Sequence, residues 1–451
     1  MAWASSELGR VERLVLAAYD WLMRALQPLL RRKLHRRAQH EPEYGLNVAQ
    51  RFGHYEGESP EGGFVWLHAV SLGETRAAAL LLPALRNAFP GMRLLLTHST
   101  ATGLAQGRTL MQAGDVQAWL PWDTAQATRQ FLMHFKPRIG LLMETEVWPN
   151  LVQACCHAGV PLCLLNARMS EKSAVQALRW PTISGPAYRG LSLVLAQSAS
   201  DAQRLQRLGC LDVRVVGNIK FDVAVSEQAR MQAALWQGSL AARPVVMLAS
   251  TREGEEALWL QALQSDPVRL KQLKLLGVLW LLVPRHPQRF DEVNALIEQA
   301  GWRCERRSGW RDQEPDAARM AHADVVLGDS LGEMQTYYLV SRMALLGGSF
   351  APLGGQNLIE AAACACPIVM GPHTFNFSDA AALAAEQGAA VRVQDMQAAL
   401  DHVAFALAQP EWLDQARTAT VKMLDKGQGA VARHIAALQS TAPLSVKGSA
   451  A

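Results

Sequence analysis

A glycine-rich segment in the last third of the chain, residues 347–363, carries residue types that bind phosphate and sugar groups. It follows a hydrophobic stretch, residues 343–346, and runs into a helical pattern. Glycine lets the backbone approach a ligand closely, and free N–H groups at a helix N-terminus favour a phosphate. Asn357 and Glu360 fall in the first turn of the predicted helix, where a glutamate can accept hydrogen bonds from two sugar hydroxyls. The segment predicts a site for an activated nucleotide.

A carboxylate, Glu74, follows the first hydrophobic run of the chain, residues 64–69, at a turn that opens a predicted helix over residues 75–87. In a cleft, such a carboxylate can take a proton from a sugar hydroxyl. A glutamate near a helix N-terminus is also favoured as a cap and by the helix dipole. The residues alone leave general base and helix cap both open.

Two more carboxylates, Glu144 and Glu146, follow the hydrophobic segment 138–143 and precede Trp148. In an extended chain their side chains point to opposite sides. One can therefore enter a ligand cleft while the other caps the next helix. Arg168, at the end of the next strand, can offset carboxylate charge or bind an anionic sugar.

Other polar turns follow strands in both halves of the chain. Lys220 can hold a carboxylate or a phosphate, or it can be a surface lysine at a linker. Arg285 follows a long hydrophobic run, and its guanidinium matches a phosphate with two hydrogen bonds. The backbone of the turn at 329–334 can hold a base or a phosphate. Together, the polar turns favour a two-lobed transferase.

The elements that position these turns alternate between short apolar strands and helices, which predicts α/β domains with parallel sheets covered on both faces. The predicted strands are 64–69, 93–97, 138–143, 160–165, 191–196, 213–216, 245–249, 275–283, 325–327, 343–346 and 367–370. A polar helical stretch at 222–243 separates the two series. We therefore expect two doubly wound Rossmann-like domains, 46–230 and 231–440, whose strands' carboxyl ends line a shared cleft.

Size and composition agree with a two-domain globular protein. The 451 residues are too many for one ordinary domain, and half of them are hydrophobic. A net charge of only +4 gives no reason to expect a nucleic-acid partner. Seven cysteines without regular spacing argue against a disulfide framework, and no segment has the spacing of a zinc site.

The N-terminal segment, residues 1–45, has the pattern of a membrane-surface helix. Apolar residues between 14 and 29 recur three and four apart, but Arg13, Asp20 and Arg24 disfavour a deep span. Five Lys and Arg side chains follow within residues 31–37. The pattern predicts a helix on an anionic membrane; the alternative is an amphipathic helix packed on the protein body. The small, polar residues 441–451 are predicted to be disordered.

In these motifs the chain resembles the bacterial 3-deoxy-D-manno-octulosonic acid (Kdo) transferases, inverting glycosyltransferases of the two-Rossmann-domain (GT-B) kind. The matching segments are HAVSLGE at 68–74, METEVWPN at 143–150, NARMS at 166–170, GNIKFD at 217–222, VPRHP at 283–287, GDSLGEM at 328–334 and GPHTFNF at 371–377. Gln356, where the family more often has histidine, and Cys366, where glycine is usual, depart from the pattern.

The resemblance implies transfer of Kdo from CMP-Kdo to a lipid A precursor, lipid IVA, in lipopolysaccharide synthesis at the cytoplasmic side of the inner membrane, with no cofactor or metal. It implies that Glu74 is the general base and that Glu144 and Lys220 stabilise the transition state. Domain 46–230 then binds the acceptor and domain 231–440 the donor. The implied CMP-binding residues are Pro284, Arg285, His286, Gly332, Glu333, Met334, Asn357, Leu358, Ile359 and Glu360.

Two other functions compete with this interpretation. One is a different two-domain sugar-nucleotide enzyme, such as an epimerase or a transferase that uses UDP-sugars. The other is a peripheral membrane scaffold with a vestigial cleft, which would have no need to keep its polar turns. Retention of Glu74, Glu144, Lys220, Arg285 and Glu360 disfavours the scaffold.

Overall fold

The computed structural model describes residues 8–240, 243–310 and 314–440. The chain divides into two compact units. Unit 1 takes in the described residues up to Asp222 together with those from Gln428 onward, and unit 2 spans Val223–Gly427. In the described part of the chain each unit contains one seven-stranded parallel sheet flanked by helices, as the alternating sequence pattern predicts.

The strands and helices are numbered along the chain. The strands are β1 Val65–His68, β2 Leu94–His98, β3 Val116–Trp119, β4 Ile139–Met143, β5 Leu162–Ala167, β6 Leu193–Ala196, β7 Val213–Val215, β8 Val245–Thr251, β9 Leu279–Pro284, β10 Cys304–Arg306, β11 Val325–Leu327, β12 Met343–Leu346, β13 Ile368–Met370 and β14 Ala390–Arg392. The helices are α1 Arg10–Ala25, α2 Gln27–Ala38, α3 Leu72–Ala88, α4 Ala101–Arg108, α5 Ala125–Phe135, α6 Pro149–Ala158, α7 Glu171–Leu178, α8 Pro181–Arg189, α9 Ala199–Arg207, α10 Glu227–Ser239, α11 Glu255–Gln264, α12 Pro267–Leu275, α13 Phe290–Gln299, α14 Ala317–His322, α15 Met334–Val340, α16 Ile359–Ala363, α17 Ser378–Glu386, α18 Met396–Leu407, α19 Pro410–Gly427 and α20 Ala430–Gln439.

The sheet of unit 1 has the strand order β3-β2-β1-β4-β5-β6-β7. This is the doubly wound order, and its direction of winding reverses between β1 and β4. Val65 and Leu67 face one hydrophobic core while Trp66 faces the other, so both faces of the sheet are buried. Burial on both faces explains why the strands are continuous apolar runs.

The sheet of unit 2 has the strand order β10-β11-β9-β8-β12-β13-β14, and its winding reverses between β8 and β12. Apolar residues of the central strands, including Val246 and Leu248 of β8, pack with Trp259 of α11 in a buried core. In an open α/β sheet, ligands bind outside the carboxyl ends of the strands at such a reversal. The turns that follow β8 and β12 therefore occupy the place where a ligand is expected.

The sequence pattern did not predict β3, β10 and β14, each of which is an edge strand of its sheet. Edge strands are short and partly exposed, so they lack a long apolar run; β10, for example, contains Glu305 and Arg306. The predicted strand at 275–283 was wrong at its start. Helix α12 ends at Leu275, and β9 begins only at Leu279, after Gly277 in the left-handed region at φ 70°.

The structure also divides the chain differently from the predicted boundary at 230. Unit 2 begins at Val223, and the chain returns to unit 1 after Gly427, so the predicted 231–440 domain is too long at its C-terminal end. The reason is that Leu438 of α20 is fully buried in a core of unit 1, and the carboxylate of Asp222 accepts backbone N–H groups at the start of α20. Residues 441–451, predicted to be disordered, lie outside the described residues.

Helix α1 turns its apolar face away from the rest of unit 1. It has no buried residue, and Leu14 and Trp21 are each 72% exposed. Its other face makes polar contacts: Glu12 pairs with Arg189, and Asp20 accepts the backbone N–H of Ala125 at 2.7 Å. The helix therefore lies against α6 and α8 of unit 1 on one side, while apolar residues of the predicted face, such as Leu14 and Trp21, are exposed on the other. Within the described ranges, no helix combines the length and apolarity needed to span a membrane.

Candidate active site

Glu74 lies at the winding reversal of unit 1, in the first turn of α3. Its carboxylate accepts the backbone N–H of Val70 at 2.7 Å and the hydroxyl of Ser71 at 3.3 Å, while the same hydroxyl accepts the N–H of Glu74. Glu74 therefore takes part in capping α3, as the second interpretation predicts. The same contacts fix its carboxylate in position, so capping does not compete with a chemical role.

The charge state of Glu74 is set by its surroundings. Burial raises its pKa to about 8, opposed by the hydrogen bond from Val70 and reinforced by the negative charges of Glu144 and Glu146. A carboxyl group with a pKa near neutrality exchanges protons readily at physiological pH, which is the property of a general acid or base.

Glu144 and Lys220 form an ion pair beside Glu74. The Nζ atom of Lys220 lies 2.7 Å from Oε1 of Glu144, and both side chains are largely buried, with exposed fractions of 27% and 14%. Glu144 directly follows β4 with φ at 60°, a left-handed conformation that is uncommon for a non-glycine residue. Strained residues of this kind concentrate at functional sites. Lys220 therefore holds a carboxylate, which is one of the roles that the sequence left open for it.

A buried polar network holds the segment that carries Lys220. The side-chain oxygen of Asn166 accepts the N–H of Ile219, and the N–H of Asn166 donates to Nε2 of His434, both at 3.0 Å. Burial lowers the pKa of His434 to about 4, so the ring is a neutral acceptor. The sequence analysis missed His434, because 268 residues separate it from Asn166 and no local pattern relates the two.

Glu146 is the second carboxylate after β4, and it does not cap the next helix. Its Oε2 atom accepts the indole N–H of Trp148 at 2.8 Å and lies 4.0 Å from Nε2 of His68. Asp123 caps α6 instead, by accepting the N–H groups of Asn150 and Leu151. The expectation that one of the paired carboxylates caps the helix is therefore wrong, and both remain near Glu74.

Arg168 contributes its backbone to this arrangement. Its N–H donates to the carbonyl of Glu144 at 3.2 Å, which ties the ends of β4 and β5 together. Its half-buried guanidinium forms no salt bridge with any residue in the described ranges. Within those ranges there is also no group of three or more His, Cys, Asp or Glu side chains that could hold a metal ion.

The glycine-rich segment of unit 2 follows β12, at the winding reversal. Gly354 and Gly355 have φ values of 90° and 73°, which keep the backbone out of a helix until Ile359. Asn357 therefore precedes the helix, and its side chain accepts the N–H of Ile359 at 3.1 Å. The expectation of Asn357 in the first helical turn was wrong in this respect, and α16, which includes Glu360, has only five residues.

Glu255, which the sequence analysis did not single out, holds this segment in place. Its carboxylate is 1% exposed and accepts three backbone N–H groups, from Gly348 at 2.7 Å, Arg252 at 2.9 Å and Phe350 at 3.1 Å. The turn after β8 is thereby bonded to the turn after β12. The available sequence signal was the pair of adjacent acidic residues, Glu255 and Glu256, at the start of α11.

Several arginine side chains lie near the segment after β9. Pro284 ends that strand, and the N–H of Arg285 donates to the carbonyl of Thr251 at 2.9 Å. The pKa of His286 is lowered by burial and by the charges of Arg252 and Arg285. A neutral imidazole among guanidinium groups suits an anionic ligand such as a phosphate.

The carboxylate of Glu333, in the turn with Gly332 and Met334, is already bonded to other side chains of the protein. Glu333 is bonded by Arg307 at 2.7 and 3.0 Å and accepts a hydrogen bond from Gln232 at 2.9 Å. Gly332 is exposed, with φ at 84°. The polar groups that this turn can offer a ligand are consequently those of its backbone.

Comparison with known proteins identifies the family. The family described as 3-deoxy-D-manno-octulosonic-acid transferase (kdotransferase) matches residues 47–223. A 3-deoxy-D-manno-octulosonic acid transferase of Bordetella pertussis is 46% identical over 400 residues, which cover 87% of this chain and 91% of that protein. The chain belongs to the Kdo transferase family. A Kdo transferase of Haemophilus influenzae is 29% identical over 425 residues, covering 92% of this chain and 96% of that protein.

The same fold occurs in more distant proteins. The crystal structure of HepE of Anabaena in complex with UDP matches with a TM-score of 0.53 at 15% identity, covering 84% of this chain and 100% of that chain. The Kdo transferase described here thus has the GT-B fold of two Rossmann-like domains. It is a glycosyltransferase, as the motifs predicted.

Proposed function

We propose that this Kdo transferase moves Kdo from CMP-Kdo to the lipid A precursor lipid IVA, with inversion at the anomeric carbon. The observation that carries the proposal is the position of Glu74. Its half-buried carboxylate is held by the N–H of Val70 and lies beside the Glu144–Lys220 ion pair. A base with a pKa near neutrality, next to a fixed cation, is what deprotonation of a sugar hydroxyl requires.

In the proposed reaction the ionised Glu74 accepts the proton of the acceptor hydroxyl while the hydroxyl oxygen attacks the anomeric carbon of Kdo. CMP leaves from the opposite face, so the configuration inverts. The ammonium of Lys220, held 2.7 Å from Glu144, stabilises negative charge in the transition state. Because Glu144 fixes it beforehand, little reorganisation is needed during the reaction.

The donor is proposed to bind through the polar turns of unit 2. Arg285 and His286 lie in a positively charged segment suited to the CMP phosphate. The backbone at Gly332–Met334 and the residues from Asn357 to Glu360 complete the proposed contacts. The buried carboxylate of Glu255 supports them indirectly, because it fixes the glycine-rich segment.

We propose that the enzyme works at the cytoplasmic side of the inner membrane, on an anionic lipid surface. The support is the exposed apolar face of α1 together with the basic residues of α2. Arg32, Lys33, Arg36 and Arg37 line a cavity of about 580 Å³. An apolar face next to a basic cluster is the combination that binds anionic membranes.

The test is incubation of the purified protein with CMP-Kdo and lipid IVA, followed by mass spectrometry of the lipid. We expect the lipid to gain the mass of Kdo, and CMP, but not UDP, to raise the melting temperature by binding the folded state. The Glu74→Gln variant is the matched control, because it keeps the side-chain size while removing the base. Stabilisation by UDP alone, without lipid modification, would favour the alternative of a UDP-sugar enzyme.

A further inference from the structure

Arg252 is the first residue after β8, at the winding reversal of unit 2. Ligands of open α/β sheets bind outside the carboxyl ends of the strands at such a reversal. The proposed donor contacts come from the turns after β9, β11 and β12, and none comes from the turn after β8. Ser250, near the end of β8, has φ at 57°, a left-handed conformation that is uncommon for a non-glycine residue and concentrates at functional sites.

The backbone around Arg252 is bonded to proposed donor segments on both sides. Its N–H donates to the carboxylate of Glu255 at 2.9 Å, and that carboxylate also accepts two N–H groups of the glycine-rich segment. On the other side, the N–H of Arg285 donates to the carbonyl of Thr251 at 2.9 Å. Arg252 is therefore held between two segments that the proposed function assigns to the donor.

The guanidinium of Arg252 has donors left for a ligand. Its Nε atom donates to the carboxylate of Glu253 at 3.1 Å, and the two side chains are 27% and 55% exposed. An exposed ion pair of this kind is weak. Within the described ranges, the two terminal nitrogens of the Arg252 guanidinium donate to no protein acceptor. They can therefore bind a second carboxylate through two parallel N–H bonds.

Arg252 shares its surroundings with the residues proposed to bind the CMP phosphate. Burial and then the charges of Arg252 and Arg285 lower the pKa of His286, so both guanidinium groups act on one imidazole. Arg289 is less available to a ligand, because both of its terminal nitrogens are bonded to Glu256, at 2.9 and 3.0 Å. The turns after β8 and β9 thus bring two cations to the same edge of the sheet.

The proposed donor carries two anionic groups on one carbon. Kdo is an ulosonic acid, a keto sugar whose anomeric carbon bears the carboxylate directly, and in CMP-Kdo the same carbon bonds a phosphate oxygen. Two neighbouring guanidinium groups match two neighbouring anions. The product CMP keeps only the phosphate, so the carboxylate distinguishes the intact donor from the product.

We propose that the guanidinium of Arg252 binds the carboxylate of Kdo in the donor, while Arg285 and His286 bind the phosphate. The inference rests on the proposed function in one respect, the identity of the donor. On binding, the exposed ion pair with Glu253 is exchanged for a bidentate pair with the ligand. Arg252 is then a specificity residue, because it selects a donor with a carboxylate beside its anomeric carbon.

The test separates the carboxylate from the phosphate by measuring two ligands on the same variants. Arg252→Gln should raise the KM for CMP-Kdo by about tenfold or more, because hydrogen bonds between charged groups are lost. It should leave the Kd of CMP nearly unchanged. Arg252→Lys keeps the charge without the two-nitrogen fork, so its KM should fall between those of the wild type and Arg252→Gln. Steady-state rates at saturating lipid acceptor and calorimetric titration with CMP measure the two quantities.

Glu253→Gln is the matched control, because it removes the ion pair and keeps Arg252. It should not raise the KM for CMP-Kdo. An equal rise in both variants would reduce Arg252 to a partner of Glu253 and overturn the inference. An equal loss of CMP affinity in Arg252→Gln would place the side chain on the phosphate, and an unchanged KM would remove it from the donor; either result overturns the inference. Failure of the wild type to bind CMP or transfer Kdo would overturn the proposed function and the inference with it, whereas the other outcomes arise only with an active wild type.

Discussion

In the proposed function Glu74 combines two roles, helix cap and general base, that are often treated as alternatives. The carboxylate that accepts the N–H of Val70 at the start of α3 is the one placed beside the Glu144–Lys220 pair. The hydrogen bonds from Val70 and Ser71 hold the carboxylate in one position. The remaining lone pairs of the carboxylate are then available for a substrate hydroxyl.

The first prediction concerns the pH dependence set by Glu74. Because its pKa is raised to about 8, the base is protonated below that pH, and kcat/KM should rise as the pH increases through about 8. Glu74→Gln should lower kcat by about a hundredfold or more and leave the affinity for CMP nearly unchanged. Initial rates across the pH range and calorimetric titration with CMP measure both quantities. Unchanged turnover in the variant would remove Glu74 from the base role.

The same shift affects stability with a defined sign. The folded state raises the pKa from 4.5 to about 8, so folding binds the proton more tightly, and this stabilisation is present at low pH and lost as the pH rises through about 8. The melting temperature of the wild type, measured relative to that of Glu74→Gln, should therefore fall as the pH rises from 4.5 to about 8. This comparison separates the electrostatic environment of Glu74 from its role in the reaction.

At the scale of elements, the ends of β8 and β12 are joined by a side chain and by close backbone packing. Glu255 bonds three backbone N–H groups across the two turns. A Cβ atom added at Gly347 would lie 2.3 Å from the carbonyl oxygen of Ser250, a backbone atom that cannot turn aside. The position of the glycine-rich segment is thus set by these two contacts.

The second prediction tests the side chain. Glu255→Gln keeps one acceptor oxygen but leaves a backbone N–H without its partner, which should lower the free energy of unfolding by about 1–3 kcal/mol and raise the KM for the donor. Chemical denaturation and steady-state kinetics measure the two effects. Glu253→Gln is the matched control, because Glu253 is exposed and its carboxylate pairs with Arg252 and not with the turn after β12. Equal effects of the two substitutions would contradict the assigned role.

The third prediction tests the backbone packing. Gly347→Ala should lower the free energy of unfolding by about 1–3 kcal/mol, because the ends of β8 and β12 must separate. Gly238→Ala is the matched control: Gly238 lies in α10 with open space around its Cα atom. There the substitution should stabilise the protein by about 0.5–1 kcal/mol. Thermal or denaturant unfolding measures both, and a neutral Gly347→Ala would show that the sheet adapts.

The sequence was sufficient to predict the central strands and the polar turns that follow them, and the reasons are physical. Central strands such as β4 are buried on both faces, so they appear as apolar runs. The functional turns were found because parallel strands end at one edge, which places Glu74 near Glu144. Asn357 was misplaced because the φ values of Gly354 and Gly355 depend on packing, which no local pattern reports, whereas Glu360 lies in the first helical turn as predicted.

At the scale of the whole molecule, the exposed apolar face of α1 is the feature that most needs a partner. Val11, Leu14, Trp21 and Leu22 are each at least half exposed, although the opposite face of the helix is fixed by polar contacts. In the proposed membrane role, this exposed apolar stripe is the surface that would contact lipid.

The fourth prediction tests that side. Trp21→Glu combined with Leu22→Glu should reduce binding to anionic phospholipid vesicles by about tenfold or more, because each substitution removes apolar contact with the lipid. Co-sedimentation measures the binding. Leu275→Glu is the matched control, because Leu275 is 79% exposed on α12, in unit 2. Equal loss in control and variant would show that general hydrophobicity, not α1, accounts for binding.

The return of α20 to unit 1 has a consequence for biosynthesis. Domains tend to fold as the ribosome delivers them, from the N-terminus onward. Here His434, which supports Asn166 and through it the segment of Lys220, is translated after all of unit 2. A nascent chain therefore cannot complete this network until residue 434 has been translated, and products that terminate before it should lack the contacts that hold the segment of Lys220.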